Sequence, residues 1–117
     1  MAAPSILSLT TATGKLAVAN VATSATTIVS NSAASGKVFK VNALYVSNID
    51  GTNDAEISVD IYRNSIAYHI AKTIVVPADA TLDVVNKSLY LEEGDALRLT
   101  ANTANDLQAV CSYEDLS

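Results

Sequence analysis

The sequence predicts an all-β chain, an antiparallel β-sandwich of jelly-roll type with an extended N-terminal arm or edge strand, and three observations carry that expectation. Runs rich in β-branched residues recur at intervals of about ten residues with turn residues between them. Several runs alternate apolar and polar side chains with period two, the signature of a strand with one face on a core and one in solvent. No long window shows the three-and-four spacing of an amphipathic helix.

The N-terminal third has its own texture. Among residues 1–36 the one charged side chain is Lys15, and every other charge in the chain follows Gly36. Two turn-like stretches, Thr10-Thr11-Ala12-Thr13-Gly14 and residues 30–36, flank short candidate strands around Leu16 and Val18 and over Thr26-Thr27-Ile28-Val29. Residues 1–13 read as an N-terminal arm and residues 14–117 as a single sandwich domain. An extended arm without charge gains order by adding a strand to a sheet, either in a neighbouring subunit or at an edge of its own domain.

Residues 37–47 form the most convincing strand. Phe39, Val41 and Ala43 share a face opposite Lys40 and Asn42, but Leu44 and Val46 then take the polar side's parity, which predicts a bulge or a strand covered on both faces near Tyr45. Residues 48–54, with Asp50-Gly51, read as a wide exposed loop. The alternation over residues 56–62 turns Ile57, Val59 and Ile61 inward and the acidic residues toward solvent. Arg63-Asn64-Ser65 then closes a hairpin whose second strand runs over residues 66–76 and stops at Pro77. Shorter strands follow over residues 81–85 and 88–91, the turn Glu92-Glu93-Gly94-Asp95 comes next, and strands over 96–101 and 106–113 complete the chain. Leu107, Ala109, Cys111 and Tyr113 share one parity, so the single thiol is expected in the core. Val-Ser-Asn occurs at residues 29–31 and 46–48, but its surroundings do not match over a repeat-length window.

Composition narrows function mainly by exclusion. A net charge of −5 and a pI near 4.5 do not supply the basic footprint of a nucleic-acid binder or of a protein drawn to anionic lipid. No apolar run approaches the ~18 residues of a spanning helix, and the first residues do not read as a secretory signal. His69, flanked by Ala67 and Ala71, is expected on a surface or interface and not in acid–base catalysis. Two acidic groups, Asp50 with Asn53 and Asp54, and Glu92 with Glu93 and Asp95, carry oxygen ligands but not EF-hand spacing, so turn chemistry is the expected role. Neither a serine-hydrolase elbow nor a phosphate loop is present. The reading is therefore non-enzymatic, with no catalytic, cofactor-binding or metal-binding residue assigned and no cofactor. A carbohydrate-binding module is a weaker alternative, because the chain has no Trp and its Tyr residues are dispersed; Tyr62 is expected to be the exposed ring, with Tyr45, Tyr68 and Tyr113 packed.

Several segments taken in order resemble one group of proteins. Residues 36–41, the strand end Tyr45-Val46-Ser47-Asn48, residues 76–82 with Val76-Pro77-Ala78, residues 89–95 with the Glu93-Gly94-Asp95 turn, and the closing Ser112-Tyr113-Glu114 are similar to short β-sandwich virion proteins of tailed bacteriophages, including phages of cyanobacteria. That resemblance spans roughly residues 14–115. It implies a virion location, assembly in the host cytoplasm, and partners among other virion proteins such as the major capsid protein or tail proteins. It further implies a capsid decoration or cement role in a homo-oligomer, with a trimer as the first expectation, or else a neck-, tail- or fibre-associated subunit. Neither nucleic acid nor membrane is an expected partner.

Overall fold

The computed structural model describes residues 5–117. Nine strands form two antiparallel sheets packed face to face: β1 (Ala12–Asn20), β2 (Thr26–Ser30), β3 (Val38–Asn48), β4 (Ala55–Arg63), β5 (Ile66–Val76), β6 (Thr81–Asp83), β7 (Leu89–Leu91), β8 (Ala96–Ala101) and β9 (Leu107–Leu116). One sheet runs β1-β9-β3, with β6 and β7 sharing the far side of β3. The other runs β2-β8-β4-β5. The chain passes repeatedly between layers in the jelly-roll manner, with one edge position split between β6 and β7. The all-β sandwich expected from the periodicity is the observed fold.

Inward-facing side chains from both layers interdigitate to make the core. Val41, Leu44 and Val46 of β3 meet Ile57 and Val59 of β4 and Leu97 and Leu99 of β8, all of them fully buried. The parity change in β3 is a bulge: the register with β9 slips between Val41 and Ala43. Before the slip Phe39 and Val41 point inward, and after it Leu44 and Val46 do. The slip also turns Tyr45 outward, where it is half exposed, so the expected packing of Tyr45 is corrected.

The β4–β5 hairpin closes on Asn64 and Ser65, which both adopt positive φ (52° and 63°), the geometry of a two-residue turn that matches strand twist. The strand expected over 106–113 extends to Leu116 and is the spine of its sheet, pairing with β1 on one side and β3 on the other. Of the arm expected over residues 1–13, residues 1–4 lie outside the described residues. Residues 5–11 carry a short 3₁₀ turn, Ile6–Ser8, and the amides of Thr10 and Thr11 both donate to the Ser117 carbonyl at 2.8 Å, which ties the base of this segment to the end of β9.

Two buried asparagines brace opposite ends of the sandwich. Asn31 donates from Nδ2 to the carbonyls of Lys37 (2.9 Å) and Leu91 (3.0 Å). Asn48 donates from Nδ2 to those of Asn53 (3.0 Å) and Val76 (2.9 Å). The shared Val-Ser-Asn tripeptide is thus no repeat, but it marks one device used twice: a buried amide at the end of a strand donates to two backbone carbonyls.

Candidate functional site

The residues with recognisable chemistry are dispersed and engaged in structural roles. His69 is exposed on β5, opposite Asp60 across the β4–β5 ladder. Cys111 is fully buried, as its parity indicates, and burial pushes its thiol up to about 11. The Asp50 carboxylate accepts from the backbone amides of Thr52 (2.8 Å) and Asn53 (3.3 Å), bonds that hold it below the ordinary carboxylate range and define an Asx-type turn. Asp54 accepts from the Ala78 amide at 3.2 Å, and Glu93 accepts from the Gly36 amide at 2.8 Å. Among the described residues no three His, Cys, Asp or Glu side chains converge as a metal site.

Three ion-paired clusters anchor the scaffold. Asp95, 1 % exposed, receives Arg63 through Nε at 2.6 Å, and Arg63 also reaches Glu92 at 2.8 Å. Burial alone raises the Asp95 carboxyl, but the Arg63 hydrogen bonds, the Glu92 amide and the Arg63 charge outweigh it and hold the group below its usual range. The same pairing holds the Arg63 guanidinium firmly protonated. Asp115 receives Lys15 of β1 (3.0 Å) and Lys37 (3.3 Å). Asp60 is 3 % exposed, which corrects the expectation that the acidic residues of β4 face solvent. It does point outward, but Arg98 of β8 donates to it at 2.9 Å and covers it. The same guanidinium lies 3.8 Å from the centroid of the Tyr62 ring, so Tyr62 is partly covered and is not the exposed platform expected of it.

Much of the exposed apolar surface lies at the lateral edges. The edge strand β1 exposes Leu16 (66 %) and Val18 (70 %), and the edge strand β5 exposes Ile66, Tyr68, Ile70, Ile74 and Val75. Tyr68 and Ile74 pair with Ile61 and Ile57 of β4 and share their inward-facing side. They remain exposed because the facing layer at this edge offers only the short β6 and β7, so the sandwich does not close over them. That geometry corrects the expected packing of Tyr68. Tyr113 does pack, its ring centroid 5.4 Å from that of Phe39. The uncovered seam forms a cleft of about 330 Å³ lined by Ile61, Arg63, Tyr68, Ile70, Leu89 and Tyr90. The signal for this surface was present in the sequence: β5 is apolar at both parities, a pattern that on an edge strand leaves apolar side chains uncovered.

The fold has a solved counterpart. A chain from Bacillus endospore appendages, a family of disulfide-linked pili, superposes with a TM-score of 0.54 at 15 % identity, covering 90 % of this chain and 85 % of that chain. The likeness is one of fold. No protein-family model matches the sequence, and no curated protein matches it.

Proposed function

We propose that the protein is a non-enzymatic structural subunit that associates with copies of itself through its two long edges. The observation that carries this reading is the pairing of apolarity with charge. In a chain of net charge −5, neither β1 nor β5 contains an acidic residue, their basic side chains are Lys15, His69 and Lys72, and among the described residues they hold Leu16, Val18, Ile66, Ile70, Ile74 and Val75, the majority of the exposed large aliphatic side chains. Two acidic molecules therefore approach with least repulsion along these edges. Each edge also presents a row of unpaired backbone groups that a neighbouring strand can complete. Burial there contributes roughly 25 cal/mol per Å² of apolar surface, and repetition around an assembly multiplies it.

Within this reading the subunit is a decoration or cement protein of a phage capsid, located on the virion after assembly in the host cytoplasm and docked on the major capsid protein as a symmetric oligomer, a trimer in the first instance. The support for that placement is the resemblance of residues 14–115 to small virion proteins. A subunit of a tail, neck or fibre is the second reading, favoured by the shared fold with a pilus component. A subunit-linking disulfide has no place in either, because Cys111 is the single cysteine of the sequence and is enclosed in the core. Quantitative mass spectrometry of purified virions tests the proposal. Copy numbers matching the capsid lattice support decoration, a number matching a tail or neck ring supports the second reading, and absence from particles overturns both.

A further inference from the structure

Ile6 and Leu7 stand on the 3₁₀ turn before β1 and, among the described residues, neither joins the hydrophobic core: Ile6 is 54 % exposed and Leu7 99 %. An aliphatic side chain left wholly in water on an ordered turn gains nothing from the fold that carries it. The apolar cleft between β5 and β7 has the converse defect, because Tyr68 shares the inward side of Ile61 with nothing over it and Ile70, the extra residue of a β-bulge, stands exposed in the same lining.

The topology sets these two features on opposite flanks of one end of the sandwich. Ala12 and Val38 both pair with Leu116, so the start of β1 and the start of β3 lie at the same level. β7, which lines the cleft, pairs with Phe39 to Val41 at that end. The residue 5–11 segment leaves at the β1 flank, and the cleft opens at the β5 and β7 flank.

From this placement we propose that the residue 5–11 segment of one copy seats Ile6 and Leu7 in the β5–β7 cleft of a second copy, giving a head-to-tail contact. The inference rests on the edge-mediated self-association proposed above and names what completes it. Charge fits the assignment. Residues 5–11 carry none, and Arg63, the one charged residue of the cleft lining, is already neutralised by Asp95 and Glu92. Area fixes the form: two aliphatic side chains bury a few hundred Å² at most, against roughly 1,200–2,000 Å² in a stable complex. The plug therefore acts together with the adjoining β1 and β5 edges in one interface. Because its two halves are different surfaces, the contact propagates into a ring or a filament and does not stop at a two-fold dimer.

Sedimentation velocity of the full chain over a wide concentration range tests this with Leu7→Asp, Tyr68→Asp and their equimolar mixture. Both sites are exposed, and circular dichroism checks that each variant is folded; Leu7→Ser and Tyr68→Ser replace any that is not. Each variant alone is expected to self-associate at least tenfold more weakly than the wild type. The mixture is expected to form dimers and nothing larger, since the intact segment of one variant meets the intact cleft of the other. Variants that associate as well as the wild type overturn the plug while leaving the edge-mediated reading standing. A wild type that stays monomeric throughout overturns that reading, and the plug with it.

Discussion

β4 and β5 are neighbours in one sheet, joined by a two-residue turn, yet they meet opposite environments. Ile57 of β4 and Ile74 of β5 are direct cross-strand partners on the same inward face; the first is fully buried and the second 41 % exposed. β5 is the more apolar strand in sequence and the more exposed in the fold. The difference teaches that burial is set by what lies across the layer and not by the strand's own hydrophobicity. β4 faces the full-length β3 and β9, whereas β5 faces two three-residue strands. Apolar surface that a fold leaves uncovered in this way is surface available to another chain.

Truncating the two partners breaks the comparison most sharply. Ile57→Ala opens a cavity in the core and is expected to cost about 2–5 kcal/mol in urea unfolding, whereas Ile74→Ala is expected to cost below about 1 kcal/mol in the monomer. Equal costs would show that the seam is closed in solution. Next in size is the latch under the same hairpin. Asp95→Ala leaves Arg63 and the Glu92 amide without their buried acceptor and is expected to lose about 1–3 kcal/mol.

That latch also gives an acid dependence. The folded Asp95 carboxyl lies below its ordinary value, so its stabilising contribution is complete above about pH 4 and is lost as pH falls through the depressed value. Asp95→Asn should flatten this acid limb in pH-dependent denaturation. The core side of the molecule shows the opposite limb through Cys111. Burial pushes its thiol up to about 11 when folded, against about 8.5 in an unfolded chain, so stability is lost as pH rises between those values, by on the order of 1 kcal/mol at pH 9.5. Cys111→Ala should remove that slope, and the native thiol should resist disulfide reagents at neutral pH. The smallest effect expected is at the turn that joins the two strands. Ser65 sits at φ 63°, and Ser65→Gly is expected to gain up to about 1 kcal/mol in thermal unfolding.

The features legible in the sequence were those set by local period and turn chemistry. The slip in parity between Val41 and Leu44 left a bulge in β3 as one of two readings, the alternation over residues 56–62 picked out Ile57 and Val59, and Arg63-Asn64-Ser65 located the hairpin. Features that depend on a partner distant in sequence were not legible. Asp60 is buried because Arg98 of another strand lies over it, and that same side chain partly covers Tyr62. Tyr68 has the parity of a packed ring but lacks a facing strand, and no spacing within residues 66–76 reports the length of β6 and β7. The interaction surface was half visible. The scarcity of charge in the N-terminal third, which holds Lys15 alone, and the predominance of apolar residues in β5 are sequence facts, whereas their placement on opposite flanks is a product of the topology.

Sedimentation equilibrium of the full chain beside Ile74→Lys is the most direct test of edge-mediated association, since a lysine on the exposed β5 edge blocks strand addition and the isoleucine it replaces lies outside the buried core cluster. The wild-type mass is expected to rise above the monomer with concentration while the folded variant remains monomeric. Indistinguishable masses for the two proteins at every concentration would contradict it.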